Sequence, residues 1–256
     1  MKILDCETQE TMYASLEQIT GVTKAELLSF FNQFDLEKYY EDNPDYWEPA
    51  EDLFLNKLRA MARTNLQFDC TTWFHLTRTF KGNDFKDGIL PLGKNIQFIW
   101  DFLFHLQKGF LSQEEWQNFK KYVEKQSSGH YAWLYRMKVS DSFHWGPYAM
   151  LIKDVAFSAE EIGNHDYLDA PEIVEDICFT FEEKYNYDLL TKFKQSTYPC
   201  IIKFQVQESN IRHLGIVLNF LYHKHQNMEL SIHCNTCFDA NGTTIPKEAI
   251  MKIEYI

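Results

Sequence analysis

Glycine and proline are scarce, with 10 and 7 among 256 residues. That excludes a collagen-like or Pro-rich disordered chain and leaves an apolar fraction of 45% to build a core. Long apolar runs are also missing: no stretch nears the ~18 consecutive residues that read as a membrane helix. Met1–Glu7 turns acidic before a secretory core could form, so a cytoplasmic protein without a membrane partner is expected. The six cysteines, at 6, 70, 178, 200, 234 and 237, are too scattered for a disulfide framework and are expected as reduced thiols. Basic residues are outnumbered 25 to 37, and a formal charge of −12 disfavours broad nucleic-acid binding while leaving room for a local pocket that takes a small anion. There is no Gly-x-Ser-x-Gly elbow, Walker phosphate loop, Rossmann fingerprint or internal repeat.

What is present alternates between helical and extended patterns. Thr23 is placed to cap a helix over 24–34, and Pro49 to open another running through about Arg63. Thr71–Thr77 is β-branched and aromatic, and predicts a strand with Trp73, His75 and Thr77 on one face. A helix from about Ile96 to Lys108 follows, and Ser112 with Glu115 has the spacing of a capping box for a helix through Lys125. Strands are expected over 132–139, 148–157, 200–206, 229–235 and 249–256, with helices over 171–194 and 211–224. Asn241-Gly242 predicts a turn able to close an antiparallel hairpin. Without regular βαβ alternation, the fold class is α+β: a mixed or antiparallel sheet core with a helical N-terminal portion, 1–65, packed on an α+β main domain, 66–256.

Phe74-His75-Leu76-Thr77-Arg78, followed by Gly88-Ile89-Leu90-Pro91-Leu92, resembles the opening of ADP-ribosyltransferase-like proteins, and Ile245-Pro246-Lys247-Glu248-Ala249-Ile250 is similar to the turn into their last strand. The resemblance implies an NAD or related nucleotide ligand, a His on the first strand that bonds a ribose, an aromatic residue that stacks on nicotinamide, and a later Glu that stabilises an oxocarbenium-like transition state. Carried onto this chain, His75, Tyr148 and Glu229 take those three roles, with Tyr131 as a rival to Tyr148. Thr77 and Arg78 become nucleotide-binding residues, Arg78 offering its planar fork to a phosphate. No metal is implied, and the acceptor is left open.

Other readings stand beside this one. A non-enzymatic protein-interaction module would use Tyr39, Tyr40, Tyr46 and Trp47 as aromatic anchors. A zinc-supported binding protein would draw on His223, His225, His233, Cys234 and Cys237. The pair His165-Asp166 is shared with metal-dependent phosphohydrolases, although it lies in an acidic loop before a helix, where carboxylates are expected from the helix dipole and could border a pocket.

Overall fold

The computed structural model describes residues 1–46 and 48–256, and of Gln126 the backbone. Ten α-helices occur among the described residues: α1 Gln9–Thr20, α2 Lys24–Gln33, α3 Leu36–Asp42, α4 Ala50–Met61, α5 Leu92–Leu106, α6 Gln113–Lys121, α7 His130–Ser140, α8 Glu172–Tyr185, α9 Leu189–Ser196 and α10 Arg212–Gln226. Six strands, β1 Ile3–Leu4, β2 Cys70–Thr79, β3 Tyr148–Met150, β4 Tyr198–Val206, β5 Cys237–Asp239 and β6 Ile250–Tyr255, form a sheet in the order β5-β3-β2-β4-β6 with β1 also beside β2. The sheet is mixed. Ile3 and Leu4 run parallel opposite Cys70 and Thr71, whereas Phe74 pairs antiparallel with Met150. The fold class is therefore α+β.

The chain divides into two compact units, and neither is continuous in sequence. The first comprises Met1–Phe74, Met150–Asn164 and Lys203–Phe238; the second comprises His75–Ala149, His165–Ile202 and Asp239–Ile256. Helices α1–α4 account for most of residues 1–65 and lie within the first unit, whose limits fall elsewhere than residue 65.

In the first unit α10 packs on α4, α2 and α1, and its buried side includes Leu214, Val217, Leu218 and Leu221. Gly215 makes the contact with α4 this close, because a Cβ there would lie 2.0 Å from the Glu51 carbonyl oxygen. Gly215→Ala should therefore force the two helices apart and cost about 2 kcal/mol, the scale of overpacking a core. A lowered urea midpoint with an unchanged slope is the expected reading. Lys203, only 7% exposed, is neutralised by Asp5 Oδ2 at 2.7 Å and Glu7 Oε2 at 2.8 Å.

In the second unit, α5–α9 enclose an aromatic core that includes Trp100, Trp116, Phe119, Tyr135 and Phe181. The Trp100 indole donates to the Tyr135 hydroxyl at 2.9 Å, so this buried polar pair satisfies itself. The capping boxes read at Thr23 and Ser112 are both formed.

Four expectations are corrected. Residues 132–139 lie in helix α7, whose Ala132 and Tyr135 are three residues apart and buried together. Residues 229–235 form no strand: the His223 ring donates to the Glu229 carbonyl and Asn219 Nδ2 donates to the His233 carbonyl, taking up the acceptors that a strand ladder needs. The 171–194 helix is two helices, because Asn186 turns left-handed at φ 51° and Asp188 caps the next. Asn241 and Gly242 do make a turn with positive φ, but β5 and β6 stand at opposite ends of the strand order and form no hairpin.

Candidate functional site

The second unit contains a cavity of about 510 Å³ walled by β2, the 83–90 turn, the first half of α5, residues 144–148 and the start of α8. Its shape depends on Gly88, which has φ +78° and whose added Cβ would lie 2.1 Å from the Ile245 carbonyl oxygen. Ile89 and Ile245 exchange hydrogen bonds of 2.9 and 3.0 Å in a single antiparallel bridge. The Gly88–Leu92 and Ile245–Ile250 stretches are thereby brought side by side.

Alternation along β2 places His75 and Thr77 on one face, and both line the cavity. The His75 Nδ1 lies 2.7 Å from the Tyr148 carbonyl oxygen. A carbonyl can only accept, so Nδ1 carries the proton and Nε2 keeps its lone pair. Burial holds the His75 pKa below the ordinary histidine value, outweighing the opposing effect of that hydrogen bond. The imidazole is thus neutral near pH 7, with Nε2 forming no hydrogen bond among the described residues. Tyr148 lines the same cavity with its side chain 37% exposed, and its hydroxyl donates to the Phe143 carbonyl at 2.7 Å. Burial, then the nearby charges of Asp239 and Glu172, raise its phenol pKa, so the ring is un-ionised.

Arg78 also borders the cavity but faces a different task. Its guanidinium donates to the carbonyls of Leu168, Lys194 and Thr197 at 2.7–2.9 Å, and to Thr197 Oγ1 at 3.1 Å. Four of its five N–H groups are committed to residues 168–197. The fork that the sequence offered to a phosphate instead ties β2 to the segments flanking α8 and α9.

Glu229 does not join this group. It belongs to the first unit, lies outside the cavity wall and is exposed, with its own carbonyl accepting from His223. Glu172, at the end of the acidic block before α8, lines the cavity together with Asp84 and Asp87, and none of the three was given a role in the site from sequence. Tyr167 donates its hydroxyl to Glu172 Oε2 at 3.0 Å, and Lys138 stands 3.8 Å from Oε1 and 2.7 Å from Asp176 Oδ2. Burial pushes the Asp176 pKa up to about 6 against the pull of Lys138. The signal was local: Glu172 follows Pro171 in a first helical turn, where a carboxylate is explained by the helix dipole alone.

The remaining candidates have ordinary structural roles. Tyr131 packs on Phe179 with ring centroids 4.8 Å apart and does not line the cavity. His165 pairs with the Ala170 carbonyl, while Asp166 Oδ1 accepts from the Leu168 and Asp169 amides, so the pair builds the turn before α8. His225 bonds Asn32, His233 Nδ1 lies 3.0 Å from Glu51 Oε2, and Cys234 is buried beside Asn219. Among the described residues no group of three His, Cys, Asp or Glu side chains is placed to hold a metal ion. Tyr39 and Tyr40 are half-buried and meet edge to face at 5.7 Å, Tyr46 is exposed, and Trp47 lies outside the described residues. Comparison of the chain with protein-family models, curated proteins and solved structures gives no match to any of them.

Proposed function

We propose that the cavity of the second unit binds NAD or a related nucleotide, as in the ADP-ribosyltransferase-like proteins that the His75 and Gly88 stretches resemble. One observation carries the reading: a neutral His75, its Nδ1–H held by Tyr148, keeps an Nε2 that is unpaired among the described residues on a wall shared with Thr77 and the Tyr148 ring. Nε2 accepts from a ribose hydroxyl, Thr77 supplies a second hydroxyl on the same strand face, and Tyr148 offers a flat ring beside them. The volume of about 510 Å³ falls within the ~300–1,000 Å³ usual for small-molecule sites.

Glu172 replaces Glu229 as the carboxylate of this reading. Placed near a ribose from which nicotinamide departs with the electron pair of the C–N bond, its negative charge favours the positive charge growing on the sugar. Tyr167 and Lys138 fix its orientation.

The test is a thermal melt with and without NAD. At a concentration near 100 Kd the ligand adds about 2.7 kcal/mol, which raises Tm by roughly 5–10 °C for a domain of this size. His75→Ala should abolish the rise relative to its own unliganded melt, and Glu172→Gln should retain it. No rise in the unaltered protein at millimolar NAD, ADP-ribose or AMP overturns the reading.

A further inference from the structure

We infer that the outer edge of β6 docks against the same edge of a second copy of this chain, joining the two sheets antiparallel about a two-fold axis at Ile253. The inference is independent of the nucleotide reading above. β6 ends the strand order, with β4 on one side and no strand on the other among the described residues. One bond fixes which of its groups point outward: Ile256 donates its amide to the Pro199 carbonyl at 3.0 Å, so its peptide groups face β4. Peptide groups alternate in direction along a strand, which turns those of Ile250, Lys252 and Glu254 toward β4 as well and aims those of Met251, Ile253 and Tyr255 at the open edge. The Tyr255 hydroxyl shares its proton between the carbonyls of Phe80 and Asn83, each at 3.1 Å, and so holds the strand in place. A strand already ordered gives up little conformational freedom on pairing.

The side chains specify the partner strand. In an antiparallel pair centred on Ile253, that residue opposes its own counterpart, Met251 opposes Tyr255 of the other copy, Lys252 opposes Glu254, and Ile250 opposes Ile256. Every facing pair is then apolar with apolar or cation with anion, the combinations that stabilise a sheet. Met251 and Ile256, 54% and 50% exposed in the single chain, become covered. The outward residues 251, 253 and 255 meet as hydrogen-bonded pairs, each exchanging its amide and carbonyl with the other copy. Lys252 and Glu254 fall between them, at the positions where facing side chains approach most closely.

Other registers fail on the same grounds. Centred on Lys252 or on Glu254, the strands set like charges face to face and bring to the edge peptide groups that already serve β4. Centred on Met251, Lys252 faces Ile250 and Glu254 faces Glu248. A lysine on an open edge ordinarily guards it against pairing. Here Glu254, whose Oε2 lies 2.9 Å from Lys252 Nζ within the chain, supplies the answering charge for a second copy. A contact of this length is at the low end of interface sizes, so the expected Kd is on the order of 10 µM. The charge of −12 on each copy opposes approach over long range and is screened beyond about 8 Å at physiological ionic strength.

Sedimentation equilibrium of the full chain at physiological ionic strength, over roughly 1 to 200 µM, should show monomer passing to dimer. Lys252→Glu and Glu254→Lys should each weaken the dimer by roughly 10- to 100-fold, because either change sets like charges opposite one another on both sides of the axis. An equimolar mixture of the two variants should recover it. One variant then carries only carboxylates at the two positions and the other only ammonium groups, so every facing pair is again opposite in sign. That recovery separates pairing between copies from loss of the Lys252–Glu254 contact inside one chain, which both variants lack. In the unaltered protein, amide exchange at Met251, Ile253 and Tyr255 should slow as concentration rises while exchange at Lys252 and Glu254 stays constant, a reading that needs no variant. A chain that remains monomeric at about 200 µM overturns the inference. Single variants that dimerise as tightly as the unaltered chain, a mixture that stays monomeric, or outward amides indifferent to concentration overturn it as well.

Discussion

Replacing Arg78 with Ala should lower stability by about 3–5 kcal/mol, the largest effect expected of any single side chain described above. Its guanidinium satisfies three backbone carbonyls and one hydroxyl, and Thr197 and Leu168, which supply most of those acceptors, are 5% and 8% exposed. Truncation leaves these groups without a donor in a place that water enters poorly, so the cost is their desolvation and not merely the loss of one contact. At roughly 2–4 °C per kcal/mol, Tm should fall by about 10 °C or more. Arg78→Lys should recover little, because one ammonium cannot reproduce a planar fork serving residues 168, 194 and 197 at once. If Arg78→Ala melts with the unaltered protein and instead loses only ligand affinity, the guanidinium is a binding group after all.

The second large effect is acid destabilisation through His213. This ring is 5% exposed and meets Trp73 edge-on at 5.2 Å, its Nδ1 has no hydrogen-bond partner among the described residues, and Glu208 Oε1 lies 3.7 Å away. Burial pushes its pKa down to about 4, against ~6.5 in an unfolded chain. Between those values the unfolded state binds a proton that the folded state refuses, so the contribution is present above pH ~6.5 and is lost as pH falls through the window. At about 1.4 kcal/mol per pKa unit the full loss is about 3 kcal/mol near pH 4. Asp176, with its pKa raised to about 6, acts with the opposite sign, its contribution being lost as pH rises. The measurement that isolates His213 is therefore the difference in urea midpoint between the unaltered protein and His213→Phe at pH 7 and at pH 4.5. The difference should shrink or reverse at the lower pH, and an unchanged difference contradicts a neutral buried imidazole.

Local signals in the sequence located what local physics decides. Thr23 with Glu26, and Ser112 with Glu115, mark helix starts because each box satisfies its own orphan amides without help from elsewhere. The β-branched run 71–77 became β2 for a similarly local reason. The failures share a different cause. In α7 the order Tyr-Ala-Trp-Leu-Tyr carries apolar residues on every side and lacks a clear period, and packing on α8 decides the outcome. Residues 229–235 have strand composition, but His223 and Asn219 reach over from α10 and occupy their carbonyls. Asn241-Gly242 bends as predicted while β5 pairs with β3, some ninety residues earlier, and no turn propensity encodes so distant a partner.

The same division runs through the candidate site. His75, Thr77 and Tyr148 were readable because strand alternation and an adjacent turn placed them without tertiary knowledge, and all three do line one cavity. Arg78 was readable as a guanidinium but not as one occupied by carbonyls ninety to 119 residues away. Glu172 was hidden by the adequacy of its local explanation, and Glu229 was chosen for opening a strand that does not exist.

Five times the backbone passes from one compact unit to the other, at 74/75, 149/150, 164/165, 202/203 and 238/239. A gene fragment from residue 1 to any of the three middle junctions encodes pieces of both units and the whole of neither, one ending at 74/75 holds only part of the first unit, and one ending at 238/239 holds the first unit with the second cut short. Dissection by deletion would thus yield polypeptides that each lack part of a core, so point substitution in the intact polypeptide is the sounder genetic approach to either half.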